Sequence, residues 1–187
     1  MNFRQALGSA AFLIWVSTRL VGQDPLWLSE HGRIEFSSDA PLEIIRAKSE
    51  YLKGVVNTVT RDFAFTMNIN SFEGFNSDIQ QTHFLENYLE QKKYPRATFT
   101  GKLIEDIPFD KPGVYPVRAK GTLDIHGVKK ERIRKGTITV NGGGGKVQTQ
   151  FSIPVADHGI SIPRIVQQKI ADQIQVSVDI EFTAAAR

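Results

Sequence analysis

The feature that most constrains this chain is a repeated alternation of apolar with polar or small residues at a period of two. The run from Phe63 to Ile69 shows it, and residues 174–182 follow it without error. Because successive side chains of a strand point to opposite faces, each run predicts a strand with one buried face. The predicted strands span residues 63–70, 97–103, 115–126, 147–153 and 174–182, with weaker candidates at 33–38, 43–49, 53–59 and 133–141.

This number of amphipathic antiparallel strands predicts an all-β fold that hides one face and its edges. It does so either by closing into a barrel or by folding into a sandwich. The inward positions combine aromatic with small residues, as at Phe99 and Gly101 or at Tyr115 and Ala119. In a closed barrel of about eight strands, small inward residues favour a cavity for one slender ligand. The alternative is that the glycines mark bulges or barrel corners with no space behind them.

Two segments break the strand pattern and predict short helices that cap one end of the barrel. Ser77 and Gln80 have the spacing of a capping box, which starts a helix, and Pro95 enforces extended chain after it. The second segment covers residues 163–171. The apolar stripe of the first helix consists of Phe84, Leu85, Tyr88 and Leu89.

The first 23 residues predict a cleaved export signal. Arg4 precedes an apolar run at 6–17, which is shorter than the roughly 20 residues of a membrane span. We expect cleavage near residues 22–24, a single domain over 24–187, a periplasmic location and no stable membrane insertion afterwards. A retained anchor or a buried helix is the alternative.

The basic balance of the chain does not point to nucleic acid. The formal net charge is +3, and removal of Arg4 and Arg19 with the signal lowers it by two, to +1. A basic run remains at 129–135, but only Ile133 stands between its charges, and stacking aromatic residues are absent from it. We therefore interpret this run as a solvated strand face and expect no nucleic-acid partner.

An enzyme reading would depend on the histidines. The chain holds no cysteine, which removes thiol catalysis and zinc ribbons. His83, His126, His158 and Asp157 could in principle bind zinc with an open position, which keeps a metalloenzyme or hydrolase as the alternative function. The HExxH and GxSxG patterns are both missing, so we expect no catalytic residues, no metal and no cofactor.

Six short motifs are similar to those of one bacterial family. In chain order they are residues 34–43 (IEFSSDAPLE), 72–75 (FEGF), 83–89 (HFLENYL), 94–99 (YPRATF), 121–127 (GTLDIHG) and 157–160 (DHGI). In this order and spacing the chain resembles the YceI-like family of exported, lipocalin-like proteins. The resemblance implies an eight-stranded antiparallel barrel with a helix packed at one end. It also implies a polyisoprenoid or similar long-chain amphiphile in the interior, and no catalytic residues.

We therefore predict a periplasmic protein that binds a hydrophobic small molecule for transport, storage or sequestration. Candidate ligands are an isoprenoid quinone, a polyprenyl lipid or a fatty-acid-like amphiphile. Such a pocket needs few polar anchors, since burying about 500 Å² of apolar ligand surface contributes roughly 12 kcal/mol before association costs. The sequence leaves the oligomeric state open, with a homodimer as one alternative.

For every predicted site residue, core packing without ligand contact is the alternative. These residues are Phe65, Met67, Phe84, Leu85, Phe99, Gly101, Leu103, Tyr115, Val117, Leu123, Phe151 and Ile153.

Overall fold

A computed structural model describes residues 26–185, in which eight antiparallel strands close into one barrel. Each strand pairs with its neighbour in sequence, and β8 pairs with β1 to close the sheet. The strands are β1 (Leu26–Asp39), β2 (Ile44–Asn57), β3 (Asp62–Asn68), β4 (Arg96–Leu103), β5 (Gly113–Ile125), β6 (Val128–Asn141), β7 (Gly144–Pro154) and β8 (Gln173–Ala184). The predicted closed barrel is confirmed, and the sandwich is excluded. The export signal predicted over 1–23 lies outside the described residues.

Helical structure is short and lies in the connections that cover one end of the barrel. Helix α1 (Asp78–His83) continues into a π-helical turn over Phe84–Tyr88. Single 3-10 turns occupy Ile69–Ser71, Val155–His158 and Arg164–Val166. Within residues 26–185, no helix has the length and apolar content needed to cross a membrane.

One strand replaces two predicted segments, which is why the barrel has eight strands and not nine. The segments 43–49 and 53–59 are both part of β2. Its buried positions run through Ile45 and Ser49, then resume in the other phase at Leu52, because Glu50 and Tyr51 are both exposed. The register to β1 shifts at the same place, as expected for a β-bulge. The extra residue interrupts the period of two and makes one strand look like two.

The end of the barrel where β1 begins is filled by aromatic side chains. Trp27 is 5% exposed, and its ring lies edge-on to Phe109 with centroids 5.0 Å apart. Phe182 lies on another side of Trp27, at 6.4 Å between centroids. Phe109 belongs to the 104–112 connection, which crosses this end between β4 and β5. We call this the closed end.

Gly101 and Gly121 face each other where β4 and β5 approach closely. A Cβ atom on Gly101 would lie 2.1 Å from the carbonyl oxygen of Lys120, and one on Gly121 would lie 2.4 Å from that of Thr100. These glycines therefore allow a close backbone approach and do not leave room for a ligand. The alternative interpretation, that the inward glycines have no space behind them, therefore applies to Gly101 and Gly121.

We expect Gly101→Ala to lower the free energy of unfolding by about 1–3 kcal/mol, because the added methyl group forces the two backbones apart. Urea unfolding measures this loss. Gly142→Ala is the matched control, since a Cβ atom at Gly142 meets nothing within 4 Å. Equal stability of the two variants would show that the close approach does not constrain position 101.

Candidate functional site

A cavity of about 560 Å³ occupies the barrel interior between the closed end and α1. Its wall is formed mostly by inward-facing apolar side chains of all eight strands, completed by α1 and by the connection between β7 and β8. Nine of the twelve residues predicted at the site lie in this wall, and their contact with a ligand stays a prediction. They are Phe65, Met67, Phe84, Phe99, Leu103, Val117, Leu123, Phe151 and Ile153.

Leu85 is half-buried but does not line the cavity, and the π-helical turn explains why. The backbone N–H of Leu89 donates to the carbonyl oxygen of Phe84 at 3.0 Å, a bond between residues five apart. This wider turn brings Phe84, Tyr88 and Leu89 to the cavity and turns Leu85 aside. The predicted stripe assumed α-helical spacing and was wrong at this position.

Tyr115 and Gly101 also lie outside the cavity wall. Tyr115 packs against the apolar core, where its hydroxyl donates to the backbone oxygen of Lys111 at 3.1 Å in the connection that crosses the closed end. Gly101 lies where the backbones of β4 and β5 approach closely. Both face inward as the alternation predicted, but the period of two does not tell at which level along the barrel a residue lies.

Four phenylalanines form an aromatic cluster next to α1, and Phe84 is the only one of them that was predicted as a site residue. Phe84 stacks on Phe36 at 5.2 Å between centroids and contacts Phe72 and Phe75 at 5.6 and 5.1 Å. All four line the cavity. Phe72 and Phe75 belong to the FEGF motif, so the signal for them was present but was not assigned to the site.

The hairpin between β1 and β2 holds the two sides of the cavity mouth in place. On one side, Gln80 of α1 donates from Nε2 to Oε1 of Glu43 at 2.9 Å. On the other, the backbone N–H of Leu42 donates to the oxygen of Gln168 at 2.8 Å, and that of Ala171 to the hydroxyl of Ser38 at 2.9 Å. The cavity reaches solvent between these sides, where the wall residues Ile79, His83 and Lys169 are exposed.

The 3-10 turn over Val155–His158 covers a gap in the barrel wall. The ladder between β6 and β7 stops at the pair Gly136–Thr149, so the rest of β6 has no strand partner on this side. Instead, Arg132 of β6 binds Asp157 at 2.5 Å, and Nδ1 of His158 donates to the oxygen of Val128 at 3.1 Å. Because a carbonyl only accepts, Nε2 of the neutral His158 ring is left as an acceptor.

The histidines do not assemble the alternative catalytic site. Asp157 binds Arg132, and His83 is the exposed last residue of α1. His126 places its two ring nitrogens 2.7 Å from Oε2 of Glu90 and 3.1 Å from the backbone oxygen of His158. Over residues 26–185, no group of three or more histidines and carboxylates is arranged to hold a metal ion.

Burial lowers the pKa of His158, which is 0% exposed. The folded protein therefore resists protonation of this ring, whereas the unfolded chain takes up the proton near pH 6.5. We expect the free energy of unfolding to be unaffected by this group above about pH 6.5 and to fall below it, by up to about 1.4 kcal/mol per pH unit. Urea unfolding of the wild type and of His158→Gln between pH 5 and 8 tests this expectation. The variant should lose the part of the pH dependence of unfolding free energy that His158 contributes. An identical pH dependence in both would contradict it.

Comparison with known proteins supports the fold and gives the family. None of the curated proteins matches by sequence. A polyisoprenoid binding domain from Saccharophagus degradans matches with a TM-score of 0.72 and 15% identity, over 86% of this chain and 99% of that one. BcnA of Burkholderia cenocepacia matches with a TM-score of 0.67 and 14% identity, over 80% and 95%. The YceI protein of Campylobacter jejuni matches with a TM-score of 0.53 and 17% identity, over 97% and 94%. The family model of the YceI-like domain matches residues 28–182, so this chain belongs to the YceI-like family.

Proposed function

We propose that this protein is an exported, periplasmic carrier that holds one polyisoprenoid or similar long-chain lipid in its barrel for transport, storage or sequestration. The observation that carries the proposal is the apolar cavity of about 560 Å³, which is closed at one end by Trp27 and open beside α1. A one-ended cavity of this kind admits a flexible chain lengthwise and shields it from water.

The wall chemistry supports a hydrocarbon ligand over a polar one. Apolar side chains line most of the cavity, and the aromatic cluster of Phe36, Phe72, Phe75 and Phe84 lies next to the mouth. Removing apolar surface from water contributes about 25 cal/mol per Å², so a long chain gains affinity along its whole length without directed bonds. The structural neighbour from Saccharophagus degradans, which has the same fold, is a polyisoprenoid binding domain and supports this ligand class.

The proposed location depends on the N-terminal segment. The apolar run at 6–17 after Arg4 has the pattern of an export signal. Expression of the full chain in a Gram-negative host tests this, because the intact mass of the periplasmic protein should lack about the first 23 residues. Full-length protein retained in the cytoplasm would contradict the location and leave lipid binding as a separate question.

Direct titration tests the binding function. Geranylgeraniol, a neutral 20-carbon isoprenoid alcohol, is added to delipidated protein, and the intrinsic fluorescence of Trp27 is followed. We expect saturable binding of one molecule per chain. Hexane-1,6-diol, which is too short and too polar to use the cavity, is the control ligand. Equal responses to the two compounds would contradict selective binding of a long chain.

A further inference from the structure

Arg134 extends from the middle of β6 toward the barrel interior. It lies in phase with Ile138 and Val140, whose side chains are buried in the core. Its guanidinium carbon lies 4.6 Å from the centroid of the Phe151 ring, and both residues line the cavity. The prediction that residues 129–135 form a solvated strand face is therefore wrong at Arg134, because the even-numbered residues of this strand point inward.

Two of the three guanidinium nitrogens of Arg134 are buried without a hydrogen-bond partner. Its Nε and Nη2 atoms are inaccessible to solvent and bond to none of the residues between 26 and 185. Burial lowers the pKa of this group, with a smaller contribution from the positive charge of Arg132. A charged donor that has lost water and gained no acceptor is costly, and stacking on one aromatic ring offsets only part of that cost.

Arg132 provides a comparison on the same strand. It lies two residues before Arg134, on the same face, and its Nη2 atom is 2.5 Å from Oδ2 of Asp157. The chain therefore supplies a carboxylate to the first of two adjacent inward arginines and none to the second. Arg134 therefore lacks the acceptor that Arg132 has.

The surroundings of Arg134 leave space for such an acceptor and do not repel it. Ala119, which also lines the cavity, lies directly across on β5, so the neighbour of Arg134 in the wall is small. Among the wall residues that the structure describes, Glu43 is the only acid. Its carboxylate is engaged by Gln80 at the mouth.

We propose that Arg134 binds the anionic headgroup, a carboxylate or a phosphate ester, of the amphiphile that occupies the barrel. This inference rests on the proposed function, since the chain of the same molecule fills the apolar cavity. Nε and Nη2 lie on one edge of the guanidinium, and their N–H bonds form a fork that matches two oxygens of the headgroup once the side chain turns this edge toward the cavity. On the barrel exterior, Arg33 uses the same edge to bind Glu35.

Two pairs of probes test the headgroup directly. Geranylgeranyl phosphate and geranylgeraniol share one chain, and hexadecanoate and hexadecanol share another. We expect the wild-type protein to bind each anion about 10- to 100-fold more tightly than its alcohol, the range expected for hydrogen bonds to a charged group. Arg134→Met should lose that preference and leave the affinity for each alcohol within about threefold. Arg134→Lys keeps the charge but not the fork, so its preference for anion over alcohol should lie between those of the wild type and Arg134→Met.

Arg46→Met is the matched control. Arg46 is exposed on the outer face of β2, next to the cavity residue Ile45, and this variant should bind all four probes like the wild type. Equal wild-type affinity for anion and alcohol, or equal loss of both in Arg134→Met, would overturn the headgroup assignment and leave the carrier function standing. Failure of all four probes to bind the wild type would overturn the carrier function and this inference with it.

Chain-free anions distinguish a lipid headgroup from a free anion. Acetate and inorganic phosphate should fail to displace hexadecanoate or geranylgeranyl phosphate when present at the same concentration as the probe. Displacement by inorganic phosphate as efficient as that by geranylgeranyl phosphate would identify a free-anion site and overturn the proposal.

Thermal unfolding gives a second test, first without ligand and then with hexadecanoate. Because two buried nitrogens of Arg134 lack an acceptor, Arg134→Met should raise the unfolding midpoint of the ligand-free protein. Hexadecanoate should then raise the midpoint of the wild type more than that of the variant. A lower midpoint in the ligand-free variant would show that Arg134 is already satisfied within the chain, and would contradict the proposal.

Discussion

The double variant Ala97→Trp/Val178→Trp is expected to bind geranylgeraniol at least about 100-fold more weakly than the wild type. Both residues line the cavity, on β4 and β8, and both have small side chains. Two indole rings would occupy space that the chain of the ligand needs. Excluding about 120 Å² of ligand surface from the barrel removes roughly 3 kcal/mol of binding free energy, which is a factor of more than 100. Isothermal titration calorimetry measures the change.

Ala64→Trp is the control for this variant. Ala64 alternates with Phe63 and Phe65 on β3 and therefore faces outward. The Ala64→Trp variant should bind geranylgeraniol like the wild type. Circular dichroism should show the same β-sheet spectrum for the wild type, the double variant and Ala64→Trp. Full affinity in the folded double variant would mean that the ligand binds elsewhere than in the barrel.

Trp27→Ala is expected to lower the free energy of unfolding by about 3–5 kcal/mol, the range found when a large buried aromatic residue is truncated. Trp27 fills the closed end, packed against Phe109 and Phe182. Since the whole stability of a domain is about 5–15 kcal/mol, this single change removes a large share of it. Guanidinium unfolding followed by circular dichroism measures the loss.

Leu28→Ala provides the comparison for Trp27→Ala. Leu28 is the next residue of β1 and is 43% exposed, so its truncation should cost less than about 1 kcal/mol. Similar losses in the two variants would contradict the view that the closed end depends on the aromatic contacts of Trp27.

The strands were predictable wherever one face is buried without interruption. The alternation over 174–182 corresponds to β8, and that over 63–70 to β3 with a small difference in bounds. The period failed at β2, where a bulge at Glu50 and Tyr51 shifts the phase by one residue. A bulge depends on pairing with the neighbouring strand, and the local sequence carries no information on that pairing.

The sequence predicted that inward-facing apolar side chains form the cavity wall, but it predicted the individual wall residues less well. Inward orientation followed from alternation at Phe99 and Leu123, but Tyr115 faces inward at the closed end and not at the cavity. Leu85 was misplaced because a π-helical turn, which composition does not reveal, changes which residues share a face. Arg134 was assigned to solvent because charged residues usually lie there. Its phase with the buried residues Ile138 and Val140 along β6 places it on the inward face.

The central claim is that the barrel carries a long hydrophobic molecule. Native mass spectrometry of protein purified without detergent, followed by extraction into organic solvent, tests it most directly. We expect a protein ion heavier than the bare chain by the mass of one lipid, and we expect that lipid to be recovered in the extract. A bare protein ion alone, together with an experimental structure in which side chains fill the barrel, would contradict the account.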